Sequence, residues 1–261
     1  MYPSISIIGA GNVGHHLTLK LHQQGYNIHQ VFSRKLPKAQ ALAKQVNTEA
    51  CNHVEEINRE ADIYIVAIKD DGIASMAEQL SFLNQDHKIV AHTSGATPMT
   101  VFDGHFENFG IFYPLQTFSI QKEVNFEQLP FCIDGSNTQT KATLTQLAQS
   151  ICPNVYDISD QQRNVLHVTA VMVNNFTNHL FAVAQQICKE QQVPFEILHP
   201  LIQETTEKIK HTSPKAAQTG PAIRGDQQTI ERHLNFLNAY PNYQKIYKML
   251  SQSIQDLHKN L

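Results

Sequence analysis

The sequence predicts an α/β chain: a doubly wound parallel sheet followed by an all-α C-terminal domain. Three observations lead there. Short β-branched runs alternate with amphipathic helical stretches over the first half. Three glycines, Gly9, Gly11 and Gly14, fall within six positions between the first such run and the first helical stretch. After about Ile158 the strand-like runs stop, and helix-length segments divided by prolines take over.

The elements follow in order. "ISIIGAG" is a first short strand, and "NVGHHLTLKLHQQG" places Val13, Leu17 and Leu21 four apart on one helix face, with Gly25 able to end it. "NIHQVFS" is the next strand, and Pro37 suits the first turn of a helix through Ala41 and Val46. "ADIYIVAI" is almost wholly apolar, as a strand covered on both faces requires. "GIASMAEQL" is helical, "KIVAHTS" a strand, and "FGIFYP" and "PFCIDG" two further strands. Strands separated by helical stretches predict parallel β-α-β units with right-handed crossovers.

"QQRNVLHVTAVMVNNFTNHLFAVAQQICKEQQ" then runs without a turn residue, with Val165, Val168, Met172, Phe176 and Val183 at helical period. Later helical runs are interrupted at Pro194, Pro200, Pro214, Pro221 and Pro241. The expected division is residues 1–157 and 158–261, with no long tether between them.

Composition narrows the function. The chain has 261 residues, 41% of them hydrophobic and 16% charged, which suits a globular protein with a proper core. A net charge of −3 without a basic block argues against nucleic acid as a partner. Cys51, Cys132, Cys152 and Cys188 are dispersed without a C-x-x-C pair, and read as reduced thiols of an intracellular protein. No leader pattern and no apolar run of about 18 residues is present, so the expectation is a cytoplasmic location with no membrane span. His15 and His16 are consecutive and diverge on a helix, and no zinc spacing occurs, so no metal is expected. "TSGA" lacks the nucleophile elbow, which argues against Ser94 as a nucleophile.

The glycine cluster reads as a Rossmann-type dinucleotide site. Gly9 permits a tight turn, Gly11 lets a pyrophosphate approach the backbone, and Gly14 allows the helix to pack closely on the strand. Gly9, Ala10, Gly11, Asn12, Val13 and Gly14 then present backbone N–H groups and a helix N-terminus to the phosphates. A glycine-rich turn without a ligand, a flavin site or an S-adenosylmethionine site can use related loops. The second strand ends in Ser33, Arg34 and Lys35, with no acid for ribose hydroxyls. A hydroxyl followed by a guanidinium suits a 2′-phosphate, so Ser33 and Arg34 point to NADP, with NADPH preferred over NADH. Arg34 as an ordinary solvated cation is the alternative. Ala67, Ile68 and Lys69 leave the next core strand at its carboxyl end and border the same cofactor. Asp70 reads as a cap for the helix beginning near Gly72.

Hydride transfer to C=O or C=N also needs a proton for the heteroatom. His92, Ser94, Tyr113 and Gln116 leave neighbouring strands at the same sheet edge. His92 and Tyr113 can donate, and a buried His92 satisfied by backbone is the alternative. His167, Asn174 and Asn178 recur at intervals of seven and four on one helix face, either lining a cleft or pairing helices. In "TGPAIRGDQQTIERHL", Asp226 can cap a helix and Arg224 can reach either Asp226 or a substrate.

Together, "IIGAGNVGHHL", "HTSGAT", "FYPLQTF", "RNVLHVTAVMVNNF" and "TGPAIRGD" resemble the Rossmann-like oxidoreductases with a helical C-terminal domain of unknown function 2520. These are similar to pyrroline-5-carboxylate reductase and the deazaflavin-linked NADP oxidoreductases. The resemblance covers essentially the whole chain and implies an NADP-binding domain and a helical domain that pairs subunits into a homodimer. Two positions depart from it: many relatives have Pro where Lys69 stands and His where Tyr113 stands. The expectation is an NADP-dependent reductase or dehydrogenase acting on a small imine, ketone or hydroxy acid, with His92 or His167 as proton donor and Tyr113 beside them. Ser94, Gln116, Asn174 and Arg224 would then bind substrate. A non-catalytic NADP-binding dimer and an S-adenosylmethionine transferase are the alternatives.

Overall fold

A computed structural model describes residues 2–85 and 87–259. The strands are β1 (Ile5–Ile8), β2 (Ile28–Phe32), β3 (Glu49–Cys51), β4 (Ile63–Val66), β5 (Ile89–His92), β6 (Phe109–Pro114), β7 (Phe131–Gly135) and β8 (Val155–Asp157). They form one sheet in the order β3-β2-β1-β4-β5-β6-β7-β8. Every neighbouring pair is parallel except β6 and β7. The strand order reverses at β1, so β2 and β4 flank it and a crevice opens beyond their carboxyl ends.

The helices around this sheet are α1 (Asn12–Gln23), α2 (Leu36–Gln45), α3 (Ile73–Gln79) and α4 (Thr138–Gln149). Two apolar clusters cover its faces, and the alternation along β1 shows how. Ile5 and Ile7 join Leu17, Leu42 and Leu144 on one face, whereas Ile8 joins Ile73, Met76 and Phe102 on the other. Gly25, at φ +86, follows α1 and turns the chain into β2, as its position suggests.

Three features differ from the sequence reading. β6 and β7 are antiparallel because residues 115–130 between them form a loop with one short 3-10 turn, not the helix that a parallel crossover needs. β3 and β8 have three residues each, too few to show a period. Asp70 lies inside a 3-10 turn, and α3 begins after Gly72 with no side-chain cap.

The chain forms two compact units, residues 1–171 and 172–261. α5 (Asp160–Ala170) therefore belongs with the sheet. Ser159 and Gln162 close a capping box at its start. Residues Val171–Phe176 are π-helical, and α6 (Thr177–Glu190) follows. The wider i→i+5 turn changes the helical phase, so His167 cannot be aligned with Asn174 and Asn178 by counting sevens and fours. The second unit also contains α7 (His199–Lys208), α8 (Pro214–Ala217), α9 (Gln227–Phe236) and α10 (Pro241–His258). Asp226 caps α9 by accepting from the Thr229 N–H at 3.0 Å.

Phe131 is fully buried, with ring centroids 4.9 Å from Phe112 and 6.5 Å from Phe126. Phe131→Ala should cost about 3–5 kcal/mol through lost burial and an unfilled cavity, read as a shift in denaturant midpoint.

Candidate active site

The turn from β1 into α1 shapes the crevice floor. Gly9 has φ +127, and a Cβ there would lie 2.2 Å from the Ala67 carbonyl oxygen. At Gly14 a Cβ would lie 1.8 Å from the Gly9 carbonyl oxygen. No side chain fits either position without moving backbone. At Gly11 the direction of a Cβ is open, with no heavy atom within 4 Å. Gly11 also caps α1 without any side-chain hydrogen bond, and the first N–H groups of a helix have no partner within it. Bare donors, a positive helix end and free space above Gly11 fit a diphosphate.

Above this floor is a cavity of about 1200 Å³. Gly9, Ala10, Gly11, Asn12, Val13, Ser33, Arg34, Ala67, Ile68 and Lys69 all line it, whereas Gly14 acts from beneath. Lys35, Lys38 and Thr93 also line it, and so do His53, Glu55 and Asp71. Lys38 lies one turn into α2, so its place beside Arg34 follows from the fold and not from adjacency in sequence. Asn12 Nδ2 donates to the Phe118 carbonyl at 2.9 Å, and His16 Nε2 lies 2.9 Å from the Ser119 carbonyl. These contacts fasten the β6–β7 loop, which begins with Leu115, Gln116 and Thr117, to α1.

A second group forms where β5, β6 and α5 meet. A Cβ on Gly95 would come 2.6 Å from His167 Nδ1 and 2.7 Å from the Tyr113 hydroxyl. Only a glycine lets the imidazole and the phenol approach this turn so closely. His167 Nδ1 is buried without a hydrogen-bond partner among the described residues. Burial, then the nearby Cys132 and Asp70, push the Tyr113 phenol up to about 12, with Arg163 acting in the opposite direction. Tyr113 therefore keeps its proton at neutral pH.

His92 and Ser94 are placed differently from the open cleft positions expected of them. His92 is 0% exposed and packs against Phe102 at 5.3 Å between ring centroids. Its Nδ1 accepts from the Ser94 N–H at 3.2 Å. Burial and then the Arg163 charge lower it to about 4, opposed by the Pro98 backbone and Asp160. It is a neutral, enclosed imidazole. Ser94 Oγ accepts from the Ala96 and Thr97 N–H groups at 3.1 and 2.9 Å and bonds Thr97 Oγ1 at 3.0 Å. Its hydroxyl is thus engaged within the turn. Gln116 is exposed, and its Oε1 accepts from its neighbour Thr117 at 2.8 Å. In the second unit Asn174 and Arg224 are both exposed.

Asp160 and Arg163 carry no assignment in the sequence reading, though their i,i+3 spacing after a capping serine is visible there. They ion-pair at 2.6 Å, with Arg163 only 1% exposed.

Two tests follow. Gly9→Ala and Gly14→Ala should each lower stability by about 1–3 kcal/mol through strain and overpacking and abolish dinucleotide binding. Unchanged melting and binding would contradict the close approaches. For His92, the unfolded chain binds more protons than the native one between pH about 4 and 6.5. Stability therefore rises with pH across that window and is lost as pH falls through it, by up to roughly 3 kcal/mol. His92→Asn, whose Oδ1 can replace Nδ1 as acceptor, should flatten this part of the stability profile. Coincident profiles would count against neutral burial.

Residues 4–95 match the family described as NADP oxidoreductase, coenzyme F420-dependent, and residues 129–254 match the domain of unknown function 2520. No curated protein matches the chain. Among solved structures, the chain is similar to a Bacteroides fragilis protein assigned as an NADP oxidoreductase, with 40% identity, 98% of each chain covered and a TM-score of 0.91. A Thermotoga maritima protein is similar over 98% of both chains at 20% identity, with a TM-score of 0.73. An imine reductase from Myxococcus stipitatus, solved in complex with NADP+, has 14% identity and a TM-score of 0.66 over 99% of this chain and 93% of its own. These last two likenesses are of fold. With the glycine-floored crevice and both matched segments in one chain, the protein belongs to the NADP oxidoreductase family in which a Rossmann-type domain is followed by the domain of unknown function 2520.

Proposed function

We propose that this NADP-dependent oxidoreductase prefers NADPH over NADH and transfers a hydride between NADP(H) and a small imine, ketone or hydroxy acid. The observation that carries the cofactor preference is the cavity wall after β2. Ser33, Arg34, Lys35 and Lys38 line it, and residues 33–38 include no carboxylate. A 2′-phosphate can pair with the Arg34 guanidinium and accept from the Ser33 hydroxyl, while the lysines lower the cost of its charge. The diphosphate lies against the backbone of Gly9, Ala10, Gly11, Asn12 and Val13, and Ala67, Ile68 and Lys69 border the nicotinamide side.

A bound nicotinamide supplies the hydride; this chain must supply or take the proton on the substrate heteroatom. We assign that work to Tyr113 and His167. Tyr113 retains a phenolic proton and serves as a hydrogen-bond donor, and His167 Nδ1 lacks a competing partner. His92 is not carried forward as donor, because it is enclosed and uncharged. Gln116, Asn174 and Arg224 remain the candidate substrate contacts, and Ser94 acts by shaping the turn that holds Gly95.

Residues 158–261, that is α5 of the first compact unit together with the whole of the second, are assigned to substrate binding and dimerisation. Exposed apolar side chains support a homodimer: Val165 and Val168 on α5, and Met172, Val173 and Phe176 on the π-helical turn. No described helix is long and apolar enough to cross a membrane. A cytoplasmic location is proposed from four cysteines without a disulfide among the described residues.

Fluorescence titration tests the cofactor. NADPH should bind more tightly than NADH, and Arg34→Glu should reverse the order; tighter NADH binding by the unaltered protein would remove the basis for the preference. At about 100–1,000 times its dissociation constant, NADPH should raise stability by roughly 3–4 kcal/mol. Turnover screened across cyclic imines, ketones and hydroxy acids should identify the substrate class, and His167→Ala should reduce kcat by about 10²–10⁴-fold. An undiminished kcat would remove His167 from proton delivery.

A further inference from the structure

An ion pair between the buried Arg163 and the partly exposed Asp160, one helical turn before His167, reaches the same turn that His167 touches. Arg163 Nη1 lies 2.6 Å from Asp160 Oδ1, and Arg163 Nη2 donates to the Thr97 carbonyl. The second oxygen of Asp160 accepts from the Met99 N–H at 2.7 Å. One carboxylate and one guanidinium thus tie the first turn of α5 to both Thr97 and Met99. Thr97 is in turn tied to Ser94 through its N–H at 2.9 Å. The segment between these ties contains Gly95, which meets His167 Nδ1 and the Tyr113 ring.

Helical geometry links the two ends of this arrangement. Arg163 and His167 are four residues apart and share a face of α5. The clasp and the imidazole therefore meet the same loop one turn apart. Arg163 Nε is buried without a hydrogen-bond partner among the described residues. An ion pair with one partner buried is weak evidence for stability, because desolvation of the Arg163 guanidinium offsets much of its attraction. Its bonds nevertheless define the spacing between helix and loop at two points.

We infer that the Arg163–Asp160 pair is a positioning device: it holds α5 at the distance from the Ser94–Met99 turn that places His167 against Gly95 and beside the Tyr113 hydroxyl. The inference deepens the functional reading above and rests on its assignment of His167 and Tyr113. Arg163 itself is a positioning residue and does not line the cofactor cavity.

The test uses the full chain labelled with 15N-histidine, with the His167 imidazole signal assigned from its loss in His167→Gln. Arg163→Gln and Asp160→Asn should each move or broaden the His167 signal while leaving the histidines of the second unit in place. Arg163→Lys, which keeps the charge and one donor, should restore it in part. Gly95→Ala leaves the clasp intact and should displace the same signal by direct contact. An unmoved His167 signal in folded Arg163→Gln and Asp160→Asn overturns the inference. Displacement of all histidine signals together also overturns it, in favour of a purely structural pair. If Arg163→Gln does not fold, Asp160→Asn and Gly95→Ala decide the matter by the same criterion. NADPH titration of the same samples separates the two claims. Absence of binding by the unaltered protein defeats the functional reading, whereas the imidazole signals report the clasp without any ligand.

Discussion

The candidate site depends on one close approach: the backbone of Gly9 meets both the Ala67 carbonyl and Gly14, with room for hydrogen atoms and nothing larger. That contact brings the start of α1 down onto β1 and β4. It points the free N–H groups at the helix start into the crevice where the strand order reverses. Were the turn looser, the wall carrying Ser33 and Arg34 would still exist, but it would not be positioned relative to a diphosphate. The glycines are therefore geometric requirements first, and a recognition signature as a consequence.

Much of this was legible in the chain. Strand runs such as "IYIV" announce burial on both faces, and the glycine spacing has a specific backbone explanation. The parts that were not legible have physical causes too. The antiparallel pairing of β6 and β7 depends on what a sixteen-residue connection does not form, and local propensity says little about that. The π-helical turn at Val171–Phe176 looks like ordinary helix to any count of threes and fours. His92 illustrates a different limit. A histidine at the end of a buried strand suits either chemistry or packing, and only the enclosing Phe102 and the Ser94 N–H distinguish the two.

The polar groups at the edge of β5 divide into those that build and those that are available. Ser94 and Asp160 spend oxygens on backbone N–H groups of the turn, while Thr97 accepts from the Ser94 hydroxyl and the Arg163 guanidinium. His92 spends its acceptor the same way. The Tyr113 phenol and the His167 imidazole, proposed above for proton transfer, both lie against Gly95, a residue with no side chain. Neighbours of this kind, whose hydrogen bonds fix a turn, hold in place the groups that pack against it.

The reversal between β6 and β7 has one more consequence. β6 ends at the crevice edge of the sheet, and because β7 runs back against it, the connecting segment begins and ends at that edge. A parallel β7 would have drawn this stretch across to the far side. Instead Phe118 and Ser119 rest on Asn12 and His16, and a single change of strand direction fastens this loop over the start of α1.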